Sequence, residues 1–65
     1  MTRNDKLREI FNIAQKYNYN VFIIGNDFQV KGKVHEIYYH VDSVLIFSRS
    51  LGYITIFFDN ITSVI

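Results

Sequence analysis

The sequence predicts a mainly β domain, with one N-terminal helix followed by five short strands bent into a small barrel. Three observations predict it. Leu7, Ile10, Phe11, Ala14 and Tyr17 recur at helical spacing in the first seventeen residues. Phe28, Val30 and Val34 then alternate with Gln29, Lys31 and Lys33, the period-two pattern of a strand with one buried face. The remainder is short apolar runs separated by turn residues, without a single proline.

Each element follows from its residues. Thr2 and Asp5 have the spacing of a capping box, with Asp in place of the usual Glu or Gln. Asn18 and Asn20 suit a helix end because Asn tolerates the left-handed conformation. The helix is therefore expected over about residues 3–17, its apolar stripe forming a lid on one open end of the barrel. Val21–Ile24 reads as a first strand and Gly25-Asn26-Asp27 as the turn after it. In the second strand Gly32 takes an inward position, which marks a sharp bend or the close approach of another backbone. Beyond Gly32 the alternation would turn Glu36 inward, so a bulge near His35–Glu36 is expected to restore the phase and add curvature. The third strand is expected over Ser43–Phe47, and Ser48–Gly52 is the next turn. Tyr53–Phe58 alternates Ile54, Ile56 and Phe58 with Tyr53, Thr55 and Phe57. Asp59-Asn60 is a tight corner, and Ile61–Ile65 the last strand. One domain spans 1–65, with helix and cap in 1–18 and the barrel in 19–65.

Composition bounds what such a domain can do. A chain of 65 residues buries only about 60% of the surface its unfolded form exposes. Yet 49% of the residues are hydrophobic and 17% aromatic, and no cysteine is present to staple the fold. Association between subunits would bury the surplus; the alternative is a monomer with a sticky surface. Net charge is +1, no strongly basic signature, but residues 1–20 hold Arg3, Lys6, Arg8 and Lys16 against only Asp5 and Glu9. Charges in the first turns interrupt any secretory leader, and no apolar run approaches a membrane span, so a cytoplasmic protein is expected. No enzyme is expected: there is no cysteine, no phosphate-cradling glycine loop and no nucleophile–base spacing. His35-Glu36-x-x-x-His40 has the wrong spacing for a helical zinc pair and places its histidines on opposite faces of a strand, so no metal or cofactor is expected.

The bent strand and the last two strands also carry a family resemblance. Phe28-Gln29-Val30-Lys31-Gly32 resembles the start of the first Sm motif, and Ile37–Leu45 its continuation. Ile56-Phe57-Phe58-Asp59-Asn60-Ile61 resembles the second Sm motif, and the helix ahead of the strands suits bacterial Hfq. The resemblance implies an Sm-like, SH3-type five-stranded bent-sheet barrel. It implies a homo-oligomeric ring, a hexamer, in which the fourth strand of one subunit pairs with the fifth of the next. Tyr53, Thr55, Phe57, Thr62 and Val64 would then form the subunit interface. Tyr53–Phe58 fits that use, being β-prone, uncharged and unguarded by proline or lysine. The helix or the loop of Arg49 covering that edge within one subunit is the alternative.

The same resemblance implies a single-stranded RNA site where two loops meet near the central hole. His40 and Asp42 would come from the first loop, and Phe57, Asp59 and Asn60 from the second. His40 would stack on a base and Asn60 would hydrogen-bond one. Further RNA contacts are expected from Arg3, Lys6 and Arg8 on the helix and from Phe22, Gln29 and Lys31 on the first two strands. Several positions depart from the family pattern: Asp42 replaces a base-contacting Asn, Phe57-Phe58 replaces Arg-Gly, and Tyr38 replaces an aspartate. Two functions therefore stay open, an RNA-binding ring acting as RNA chaperone or regulator, and a small oligomeric regulator or inhibitor that binds a protein.

Overall fold

The computed structural model describes all residues, Met1–Ile65. A helix α1 (Arg3–Tyr17) leads into strands β1 (Asn20–Gly25), β2 (Gln29–Tyr38), β3 (Ser43–Ser48), β4 (Gly52–Phe57) and β5 (Ile61–Val64). A short 3-10 turn, Phe58–Asn60, separates the last two. All pairings are antiparallel, in the order β4-β3-β2-β1-β5, so β4 and β5 are the two edges of a bent sheet that does not close on itself. This is an Sm-like fold.

Local chemistry sets both ends of α1. The Thr2 hydroxyl accepts from the Asp5 N–H while the Asp5 carboxylate accepts from the Thr2 N–H, both at 3.1 Å. Asn18 ends the helix in the left-handed region, at φ 60°. Of the expected stripe, Leu7, Phe11 and Ala14 are buried, whereas Ile10 and Tyr17 lie outside the contact. The buried three follow i, i+4, i+7, the narrow seam that a helix presents to the end of a small sheet; Ile10 and Tyr17 flank it. Tyr17 stacks instead on Tyr19, with ring centroids 5.8 Å apart.

The long strand bends where its sequence loses phase. Between β2 and β3 the register passes from Val34↔Ile46 to Glu36↔Leu45, leaving His35 as the extra residue of a bulge. Gly32 is buried, and a side chain there would run into the carbonyl of Phe47 on β3. Only glycine lets the two backbones come so close. One face of the sheet, with Val21, Ile23, Val30, Val44, Ile46 and Ile56, packs under the helix into a single core.

Phe58 departs from the expectation of a strand end. It opens the 3-10 turn and points into the core, completely buried, with its ring centroid 5.6 Å from that of Phe11. Helix, sheet and last corner are thus joined by one aromatic contact.

Candidate nucleic-acid interface

Two loops form the surface that the Sm-like reading singles out. The β2–β3 loop, Tyr39–Asp42, and the Phe58–Asn60 turn are held together by the Phe58 N–H, which donates to the Asp42 carbonyl at 2.8 Å. Asp42 adopts φ 46°, a left-handed conformation that Asp tolerates better than most residues. Here the side chains of His40, Asp59 and Asn60 are exposed and make no hydrogen bond within the chain, so they are free to meet a ligand. The backbone of Asn60 is fixed by Asn26, whose N–H donates to its carbonyl at 3.2 Å.

Other proposed contacts have structural partners. The Asp42 carboxylate accepts from Arg8 through one oxygen and from the Asn4 amide at 3.1 Å through the other. Arg8 also bonds Asp5 at 2.8 Å, one turn back on its own helix. Arg3 donates to the carbonyls of Phe58 and Ile61, closing the end of the 3-10 turn. Of the three helix cations proposed for RNA, only Lys6 has no partner in the fold. Asn4 and Arg3 have no motif to announce them, because their acceptors lie 38 and 55 residues away in sequence.

Charge coupling around Arg8 has a consequence in acid. Asp5 is held below the usual carboxylate range, first by the Thr2 backbone N–H, then by the Thr2 hydroxyl, with Arg8 adding to both. Arg8 is pushed the other way, chiefly by its hydrogen bond to Asp42. A carboxylate whose folded pKa is depressed stabilises the fold above its unfolded pKa, and that contribution fades as pH falls through the folded value. Asp5 therefore supports the fold fully above about pH 4 and loses that role below it. Urea unfolding from pH 6 to pH 3 is expected to lose stability more steeply in the wild type than in Asp5→Asn.

The residues expected to form a subunit interface lie on the two edge strands. Phe22 and Ile65 exchange both N–H···O bonds, at 3.1 and 2.9 Å. In an antiparallel ladder the next pair, Ile23↔Val64, is then a non-hydrogen-bonded one, so the N–H and C=O of Val64 face away from β1. The same alternation counted from Phe58–Asp42 turns the backbone groups of Phe57, Thr55 and Tyr53 away from β3. Thr62 lies where the β1–β5 register slips, with its hydroxyl 3.5 Å from the Asn26 side-chain oxygen. In the sheet β4 and β5 each pair with one strand only, and Arg3 of α1 reaches the Ile61 carbonyl at the start of β5.

The outer face of the sheet holds Phe22, Gln29 and Lys31, with Phe22 opposite Lys31 in the β1–β2 register. Lys33 and Arg49 belong to the same side of the molecule, in a groove with Lys31. The sequence reading missed this grouping. Its only signal was that Lys31, Lys33 and Arg49 are the sole bases of residues 21–65.

No helix is long and apolar enough to cross a membrane. No group of histidine or acidic side chains comes together in a metal-binding cluster. Comparison with protein-family models, with curated proteins and with solved structures finds no match to this chain.

Proposed function

We propose that the chain is an Sm-like, Hfq-like subunit that closes a ring by pairing β4 of one copy with β5 of the next, and that binds single-stranded RNA at the paired loops. The observation that carries the reading is the pair of open edges. Each offers a row of unpaired N–H and C=O groups, and β4 adds an uncharged apolar run, a combination that soluble proteins otherwise guard. In a ring, every copy would bring His40, Asp59 and Asn60 to the same rim. His40 supplies a ring for base stacking and Asn60 an amide for a base edge. The ring would act without cofactor or catalysis, as a cytoplasmic RNA chaperone or regulator.

A protein-binding regulator built on the same ring is the second reading. It is favoured by the ties that Asp42, Arg8 and Arg3 make within the fold, which leave the loop surface with little positive charge.

Fluorescence anisotropy with labelled oligouridine decides between them. His40→Ala is expected to weaken binding by about 1–3 kcal/mol, the range for one stacked base. Asp42→Asn is expected to tighten it, because the change removes a negative charge from the loop and one of the two ion pairs of Arg8. If His40→Ala binds like wild type and Asp42→Asn gains nothing, the loops hold no RNA and the protein-binding reading replaces this one.

A further inference from the structure

We propose that the exposed flank of α1 is a docking surface for a second copy of this chain, the two helices packing antiparallel about a two-fold axis. The contact uses no residue of β4 or β5, so it is independent of the sheet edges.

The first observation is the width of the helix's apolar arc. At about 100° per residue, Phe11, Leu7 and Ala14 cover about 60° of the circumference and are buried against the sheet. Ile10, Tyr17 and Ile13 continue that arc for about 100° more, and they are 42%, 57% and 45% exposed. A helix with one buried face typically carries an apolar stripe of about 100°. This one has a second stripe beside the first, left open by its own fold.

The second is spacing. Lys6, Ile10, Ile13 and Tyr17 follow steps of four, three and four, the a/d spacing of helices that pack side by side. They fall within about 60° of arc and extend about 16 Å along the axis. Tyr17 is held in place by its stack on Tyr19, with ring centroids 5.8 Å apart.

The third selects the occupant: the stripe complements itself. Run antiparallel, a second copy sets its Ile13 on Ile10 and its Lys6 on Tyr17, and two-fold symmetry makes each pairing twice. The isoleucines form the centre. At each end a Lys6 stem lies along a tyrosine ring, with the ammonium left in water. Glu9 and Lys16 flank the seam, seven residues and about 10 Å apart, too far to meet within one helix. Neither is in an ion pair, because both ion pairs of the fold belong to Arg8. Antiparallel packing brings Glu9 of each copy to Lys16 of the other. A parallel pair would leave both charges unmatched and set Lys6 against Lys6. A membrane surface would select a uniformly basic flank, which Glu9 interrupts.

Sedimentation equilibrium from about 5 to about 500 µM is the test. Four side chains per helix make less than a standard interface, so Kd for one such contact is expected on the order of 100 µM. The average mass of the wild type is expected to rise toward twice its low-concentration value, whether that is one 7.7 kDa chain or a ring. Ile13→Gln is expected to abolish the rise. Glu9→Lys and Lys16→Glu are each expected to weaken it about tenfold, since two attractive pairs become repulsive. Glu9→Lys/Lys16→Glu restores both pairs at unchanged net charge and is expected to regain the wild-type rise. Val64→Pro, which strikes only the proposed edge pairing, is expected to show the rise as well. The helix substitutions fall on exposed side chains, and circular dichroism confirms that each variant folds.

A wild-type mass that stays constant to 500 µM overturns the docking surface and leaves the edge-to-edge ring untouched. A double charge variant no better than the single ones overturns it too, because the contact is then general stickiness. Loss of the rise in a folded Val64→Pro assigns the stripe to the ring instead of to a helix pair. Constant mass, together with binding to phosphatidylserine vesicles that Ile13→Gln abolishes, gives the stripe to a membrane surface. Either of these last two results also overturns the proposal.

Discussion

Phe11→Ala is expected to cost about 3–5 kcal/mol, the usual range for truncating a buried phenylalanine. A domain of 65 residues has about 3–10 kcal/mol of stability in total, so the variant should be largely unfolded or close to it. Phe11 is completely inaccessible, and its main aromatic contact is Phe58, also inaccessible. Its removal opens a cavity at the one place where helix, sheet and the last corner meet. Because the Phe58 N–H fixes the Asp42 carbonyl, the same change loosens both loops. Ile10→Ala is the matched control: Ile10 is 42% exposed, and surface truncations of this kind usually stay within about 0.5 kcal/mol. Urea unfolding of the two variants reads the difference directly. Equal, small losses would mean that the helix is an appendage rather than part of the core.

That comparison also shows where the sequence was legible. Leu7, Phe11 and Ala14 could be placed on the sheet because helical spacing and apolarity coincide at them. Ile10 and Tyr17 satisfy the same periodicity and are nevertheless exposed, since the pattern cannot give the width of the surface that meets the helix. The bulge at His35 was readable because β alternation has a strict period, and one misplaced residue turns Glu36 inward. Phe58 was harder. Alternation places it on the inner face, and it is there, but as the start of a 3-10 turn rather than the end of a strand.

The candidate site was legible only in part. His40 and Asn60 stand in the loops that the motif spacing indicated, and their exposure is a local matter. The partners that Arg3, Arg8 and Asp42 find within the fold were not legible, because they are distant in sequence and no local rule pairs them. The groove of Lys31, Lys33 and Arg49 depends on register. A strand shows which face Lys33 occupies, but only the pairing with β3 sets it beside Phe47.

Thr55→Pro and Val64→Pro are each expected to dissociate the proposed ring while leaving the subunit folded. Proline lacks an N–H and fixes φ near −65°, so in a paired strand it removes a ladder bond and its ring obstructs the neighbour. The N–H groups of Thr55 and Val64 face away from β3 and β1, as the bonding alternation requires, so neither proline breaks a bond inside the subunit. An edge strand tolerates proline where its N–H faces water. In an isolated subunit both substitutions would therefore be mild. In a ring they strike the ladder between copies, and closure makes every interface fail at once. Ser63→Pro is the contrasting variant: its residue occupies the bonded pair with Ile24, so it should destabilise the subunit itself. Sedimentation velocity at micromolar concentration, with far-UV circular dichroism on the same samples, separates these cases. Wild type is expected as a closed oligomer of about 46 kDa for six copies of the 7.7 kDa chain, and Thr55→Pro and Val64→Pro as small species with wild-type secondary structure. A wild-type chain that sediments as a stable monomer would sink the ring, and with it the assignment of Tyr53, Thr55, Phe57, Thr62 and Val64 to a subunit interface.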